Sequence, residues 1–221
     1  MNTPIKTHEI RKVAVLGSGV MGSAIACHLA QTGSEVLLLD LPSKEGPRNA
    51  PAEGALKASL KSKPSPLYSK RFMNRIECGN FDDDLEKIAS CDWIIEVIVE
   101  RLDIKQQLFE RVEAFRKPGT LISSNTSGIP ISQLSEGRSE DFQKHFCGTH
   151  FFNPPRYLQL LEIIPGPKTE QRVVDFFMGY GESILGKQSV LCKDTPAFIA
   201  NRVGVFAIQA LFHTVEDMGL S

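Results

Sequence analysis

The 221-residue chain sets 25 Lys+Arg against 26 Asp+Glu, a formal net charge of −1, with 42% hydrophobic residues. That balance offers no electrostatic basis for a nucleic-acid or anionic-membrane partner, and the apolar share suffices for one large domain or one domain with an appendage. The five cysteines (Cys27, Cys78, Cys91, Cys147, Cys192) are odd in number and scattered, with no CxxC pair, which argues against a disulfide framework or a metal site and for a reducing, cytoplasmic location.

The polar opening MNTPIKTHEIRK has no apolar stretch of a secretory signal, and no apolar run approaches the roughly 20 residues a membrane helix needs. From there the chain alternates short apolar runs with longer amphipathic ones. This pattern predicts an α/β fold of Rossmann type, a doubly wound, mostly parallel sheet with helices on both faces.

In chain order, residues 13–16 read as a buried strand, followed by glycines and a helix over 21–31 capped by Gly33. Residues 36–39 form the second strand, ending at Asp40. The proline-broken, basic stretch 42–69 holds one helix, 53–61. Strands at 75–78, 93–97 and 121–123 alternate with helices at 83–88 and 104–115. Residues 146–150 and 158–164 are further strands. Thr169 is expected to cap a helix reaching 185, and 189–191 closes the sheet. Pro196 suits the first turn of a last helix running to 218.

The sequence Val13-Ala-Val-Leu-Gly17-Ser-Gly19-Val20-Met21-Gly22 is a GxGxxG directly after a strand and opening a helix. Its confirming context is the second strand ending in Asp40, about 20 residues on. Gly17 permits a tight turn, Gly19 lets backbone approach a pyrophosphate, and Gly22 lets helix and strand pack closely. The N–H groups at Val20 and Met21 open toward phosphate oxygens. Asp40 can accept from an adenosine ribose and would repel a 2′-phosphate, which favours NAD over NADP. FAD uses the same fold, so the fingerprint alone names neither nicotinamide nor a reaction.

Four further segments carry polar residues where packing would not ask for them. EVIVERLDIKQQLF holds Glu96, Glu100 and Lys105. SSNTSG places Asn125 and Ser127 at the sheet edge where doubly wound folds bind ligands. GTHFFNPPRYLQLLEII carries His150, Asn153 and Glu162, and KDTPAFIANR carries Asn201. With period 2, Glu162 shares a face with Leu158, Leu160 and Ile164, so ionised it needs a partner. A chain reversal at Asn153-Pro154-Pro155 can bring His150 to it, the leucines forming a dry wall. Such a carboxylate fixes the imidazole tautomer and stabilises its protonated form. Taken singly, His150 reads as a satisfied core histidine before a catalyst; Glu162 downstream and the glycine fingerprint upstream reverse that order. Asn201 shares a helical stripe with Phe198, Val205, Ile208 and Phe212, an amide on an apolar face with either a functional or a structural bond to make.

In order and spacing, GSGVMG, IVERLDIKQQLF, SSNTSG, GTHFFNPPRYLQLLEII and KDTPAFIANR make the chain resemble the L-3-hydroxyacyl-CoA dehydrogenases of fatty-acid β-oxidation over nearly its whole length. The proline pair and RYLQLLEIIP are most similar to the versions in larger, multifunctional bacterial proteins. The resemblance implies that His150 is the general base on a 3-hydroxyl, with hydride passing to NAD, and that Glu162 orients it. It implies that Ser127 and Asn201 hydrogen-bond around the reacting oxygen, and that Asn125, Ser127 and Asn153 lie by the cofactor. Glu100 and Lys105 match positions near the nicotinamide ribose, or form a surface ion pair. Lys57 and Lys61 lie where the family holds the CoA tail of its acyl-CoA substrate.

Family members continue into a helical domain that closes the cleft and carries the dimer contact. The expectation is therefore an NAD-binding domain over 1–195 and a linking helix over 196–221, whose Phe206, Ile208, Leu211 and Phe212 lack their usual partner through truncation. Two rivals remain: a dehydrogenase of a free hydroxy acid or sugar acid of the L-gulonate type, and a non-catalytic NAD-binding module. The two residues after His150 speak against the first, and the intact polar set against the second.

Overall fold

The computed structural model describes residues 10–219. The first nine residues of the polar opening, and residues 220–221 of the expected linking segment, lie outside them. The elements are β1 (Lys12–Leu16), α1 (Val20–Thr32), β2 (Glu35–Asp40), α2 (Ala50–Ser59), β3 (Ile76–Asn80), β4 (Trp93–Glu96), α3 (Leu102–Phe115), β5 (Leu121–Ser124), α4 (Ile131–Leu134), α5 (Glu140–Lys144), β6 (Phe146–Phe151), β7 (Leu160–Pro165), α6 (Gln171–Ser183), β8 (Gln188–Leu191) and α7 (Ala200–Asp217).

The eight strands form one sheet in the order β3-β2-β1-β4-β5-β6-β7-β8. Every neighbouring pair is parallel except β6 and β7. The central strands are apolar throughout because helices cover both faces. Val13, Val15, Ile25, Leu29, Trp93 and Phe177 belong to the core on one side, and Ala14, Leu16, Ile94, Phe109, Phe142 and Phe146 to the core on the other. Gly33, in the left-handed region at φ 117°, ends α1 as expected.

This topology decides where a site can be. Strand order reverses between β1, which leads to β2, and β4, on its other side, and the crevice outside the carboxyl ends of those strands is where such sheets bind ligands. Gly17, Asp40 and Glu96 all lie at that edge. The antiparallel turn at β7 then sets Glu162 directly opposite His150.

Several expected boundaries move, each for a local reason. Residues 83–88 form no α-helix but a 3₁₀ turn at Leu85–Ser90. There Asn80 Oδ1 takes the Asp82 and Asp83 N–H groups, and the Asp84 carboxylate takes Asn80 N–H, before a helix can begin. Thr169 does not cap α6. Its hydroxyl donates to Phe146 O (2.5 Å) and accepts from Gly166 N–H (2.8 Å), closing the preceding turn. β7 starts at Leu160 because Leu158 N–H is still bonded to Pro154 O in the turn.

Pro196 does not open the last helix. Ala197 and Phe198 stand at φ 63° and 48°, and α7 begins only at Ala200. That turn drives the Phe198 ring into the interior, so Phe198 leaves the helical stripe expected for it. Val203, Val205, Phe206, Ile208, Leu211 and Phe212 of α7 are exposed. Among the described residues no helix is long and apolar enough to cross a membrane.

The glycine turn makes a stability forecast. A Cβ on Gly22 would lie 1.9 Å from the Gly17 carbonyl oxygen, a backbone atom that cannot swing aside. Gly22→Ala should lower the unfolding free energy by about 3 kcal/mol, read from the urea midpoint, and an unchanged midpoint would contradict the packing described.

Candidate active site

At the β6–β7 pair, His150 Nδ1 and Glu162 Oε2 are 2.7 Å apart, and both side chains are buried. The other carboxylate oxygen, Oε1, accepts from the backbone N–H groups of Ile199 (3.1 Å) and Ala200 (2.8 Å) at the start of α7. Glu162 is thus satisfied on both oxygens, one by an imidazole and one by a helix N-terminus that favours negative charge. With Nδ1 donating to the carboxylate, Nε2 is the nitrogen left to meet a ligand.

The dry wall around the pair is aromatic. Phe152 lies 4.5 Å and Phe198 5.7 Å from the His150 ring, centroid to centroid. The leucines expected there do not supply it: Leu158 is exposed and Leu160 only partly buried.

The loop after β5 converges on the same edge. Asn125 Oδ1 accepts from Phe151 N–H at 2.8 Å, so this amide fastens the end of β6 beside His150. Ser127 is exposed, its N–H bonded to Glu100 Oε1 (2.9 Å) and its carbonyl reached by Asn201 Nδ2 at 3.4 Å. Asn201 is half-buried, not the fully buried amide its stripe implied, and this long contact is its bond.

Lys105 is 1% exposed and points inward. Its Nζ sits 2.6 Å from Glu96 Oε1 and 3.2 Å from Glu100 Oε2, so the expected pair with Glu100 forms, but with the lysine end buried and shared with Glu96 and not on the surface. Glu96, in turn, accepts from Ser124 Oγ (2.5 Å) and Ile98 N–H (2.7 Å). Burial pushes the Glu96 carboxyl above its ordinary pKa. Burial also opposes charge on Glu100, but there the bonds from Thr126 and Ser127 and the nearby Lys105 prevail and hold it below its ordinary value. Glu96 and Thr126 organise the loop that presents Ser127, and the sequence signal for the first was a lone acid ending an otherwise apolar strand.

Whether the glycine turn suits a dinucleotide can be tested on its own geometry. α1 starts at Gly19 with no side-chain cap, which leaves the first-turn N–H groups of Val20, Met21 and Gly22 open to phosphate oxygens. A Cβ on Gly19 would meet nothing within 4 Å, so the space in front of it is clear. Asp40 accepts from Ser18 N–H (2.6 Å), Leu41 N–H (2.7 Å) and the Ser18 hydroxyl, and stays half-exposed at the mouth of a cleft of about 420 Å³. Leu41, Phe81, Ile98 and Val99 line that cleft, an apolar slot suited to an adenine ring. These residues fit the cofactor.

A second cleft of about 450 Å³ opens on the other side of the turn, between Gly19, Val20 and the Asn153–Arg156 segment. Lys63 and Arg156 are its cations. Lys57 pairs with Glu53 (3.4 Å) on the outer surface, and neither it nor Lys61 lines this cleft.

Comparison with known proteins turns this arrangement into an assignment. Residues 12–195 match the model of the 3-hydroxyacyl-CoA dehydrogenase NAD binding domain. The chain belongs to that family. A probable 3-hydroxyacyl-CoA dehydrogenase of Bacillus subtilis is 49% identical, covering 95% of this chain and 28% of that protein. A putative fatty acid oxidation complex trifunctional enzyme of Rickettsia felis is 44% identical over 91% of this chain and 28% of its own length. The crystal structure of 3-hydroxybutyryl-CoA dehydrogenase from Escherichia coli K12 superposes with a TM-score of 0.77 at 31% identity, over 93% of this chain and 44% of that one. The chain thus spans well under two thirds of these relatives. As a family NAD binding domain it takes NAD.

Two substitutions probe this edge. Gly19→Ala should leave stability within about 0.5 kcal/mol yet weaken NAD at least about tenfold, ~1.4 kcal/mol, in calorimetric titration, because the methyl fills the clear space. Lys105→Met should cost about 3–5 kcal/mol by leaving Glu96 buried without its counter-charge. Loss of under 1 kcal/mol in chemical denaturation would show that the ion pair carries no such burden.

Proposed function

We propose that this chain is the cofactor-binding and base-bearing part of an enzyme that oxidises (S)-3-hydroxyacyl-CoA to 3-oxoacyl-CoA in fatty-acid breakdown. The observation that carries the reading is the 2.7 Å contact of His150 Nδ1 with a buried, doubly satisfied Glu162, which leaves Nε2 available at the ligand edge. When bound, NAD supplies the hydride acceptor.

The protein's own residues do the rest. His150 Nε2 takes the proton from the substrate 3-hydroxyl. The imidazolium that results is stabilised by Glu162, whose position α7 maintains. Ser127 and Asn201 would hydrogen-bond to the reacting oxygen and so favour the transition state. Phe152 and Phe198 keep the pair dry, which strengthens it. The cleft with Lys63 and Arg156 offers cations for the phosphates of the CoA end, in place of Lys57 and Lys61.

α7 is read as a linking helix into a helical domain through which the full-length protein dimerises. The exposed Phe206, Ile208, Leu211 and Phe212, and the greater length of the relatives, support this.

The test is NADH consumption with acetoacetyl-CoA by the full-length protein. His150→Gln should lower kcat by about 10²–10⁴-fold with a modest change in KM. Glu162→Gln should act in the same direction, since its single amide oxygen can serve Nδ1–H or the Ile199 and Ala200 N–H groups but not both, and it brings no charge to stabilise the imidazolium. Wild-type rates in His150→Gln would overturn the mechanism, and no turnover of acetoacetyl-CoA by the unsubstituted protein would overturn the substrate class.

A further inference from the structure

Lys187 immediately precedes β8 and is buried. Its Nζ donates to Pro155 O and, at 2.8 Å, to Leu158 O. No carboxylate pairs with it among the described residues, and burial alone lowers its pKa to about 8. His28 feels the Lys187 charge, and burial together with that charge pushes it down to about 4, so this neighbour is neutral and offers no compensation. An ammonium placed among apolar and neutral groups is costly unless its donors are all put to use. An apolar side chain of similar length would pack there more cheaply.

What the lysine holds explains the choice. The connection 152–159 contains Pro154 and Pro155, which have no N–H to donate, and its internal turn bonds from Tyr157 and Leu158 both end on Pro154 O. The carbonyls of Pro155 and Leu158 find their donor in Lys187. The same connection forms one wall of the 450 Å³ cleft, facing Gly19 and Val20 with Asn153 and Arg156. It also holds the opposite wall: Arg156 Nη1 (2.9 Å) and Tyr157 Oη (3.0 Å) both donate to Ser65 O, next to Pro64 and Pro66 of that wall.

We infer that Lys187 is a positioning residue for substrate binding, which sets the Asn153–Arg156 wall of the cleft from beneath through Pro155 O and Leu158 O. The inference rests on the reading that this cleft takes the CoA end of the substrate. His150 is fixed separately, by strand register and Glu162, so loss of the lysine amine disturbs binding and spares the chemical step. Either an ammonium or a neutral amine has the two donors required.

The experiment compares full-length wild type with Lys187→Met and Lys187→Arg in NADH oxidation by acetoacetyl-CoA, together with hydrogen exchange of the Tyr157 and Leu158 amides. In Lys187→Met those amides should exchange at least about tenfold faster and KM for acetoacetyl-CoA should rise about tenfold. kcat should stay within about threefold, and Lys187→Arg, which keeps donors at the site, should recover part of the KM. Unchanged exchange, or an equal fall in kcat and kcat/KM, would overturn the inference. Should Lys187→Met fail to unfold cooperatively, Lys187→Gln is held to the same criteria. If wild type turns over no acetoacetyl-CoA, the substrate reading fails by itself, and slower or equal exchange in the variant would still count against Lys187 as the support of this wall.

Discussion

The pairing of His150 with Glu162 across β6 and β7 is the constraint around which the ligand edge is built. It exists because β7 runs antiparallel to β6 in an otherwise parallel sheet, which sets the two residues directly opposite each other. Side chains alternate between faces along a strand, so a slip of one residue in that register would send the carboxylate to the other side of the sheet. The register is secured from several directions. Asn125 bonds the end of β6, the N-terminus of α7 bonds the free oxygen of Glu162, and Phe198 packs on the imidazole. A buried carboxylate is tolerable only under such complete satisfaction. The same bonds therefore lower its cost and orient the imidazole.

A second buried charge cluster stands beside the first and follows the same rule. Lys105 reaches from α3 to Glu96 at the end of β4 and to Glu100 in the loop beyond it, and Glu100 in turn holds Thr126 and Ser127. The loop carrying Ser127 is in this way tied to a charge lying under the sheet edge, and does not depend on its own flexible backbone for position. Ser123 continues the pattern inside the sheet, bonding both Trp93 Nε1 (2.9 Å) and Thr149 (2.7 Å) and linking β4, β5 and β6. Polar groups at the carboxyl ends of the strands are thus bonded sideways from strand to strand, which makes the ligand edge rigid where it matters.

Much of the fold was legible along the chain. Strands covered on both faces are continuously apolar, and a glycine run between such a strand and a helix has few other uses, so β1, α1, β2 and the turn between them could be read directly. Reading failed where side chains compete with the backbone. Asn80 and Asp84 bond each other's backbone neighbourhood into a tight turn at the end of β3, Thr169 closes a turn in place of capping α6, and Phe198 gives up its helical position to bury its ring. Each is a trade between a local preference and a contact with a residue far away in sequence, which a window of a few residues does not report.

The candidate site divides along the same line. The sequence by itself determined the doubly wound sheet, the glycine turn with Asp40 at the next strand end, and the presence of an imidazole and a carboxylate flanking a proline reversal. Periodicity and residue chemistry carry that information because they act over short distances along the chain. Only the tertiary structure decided that Lys105 turns inward onto two acids, that aromatic rings and not leucines keep the His150 pair dry, that Asn201 is half-exposed, and that Lys63 and Arg156, not Lys57 and Lys61, face the second cleft. Those outcomes depend on which distant groups meet at one point and compete for the same hydrogen bonds and the same dry space, and that competition is settled when the sheet, its helices and its connections pack together.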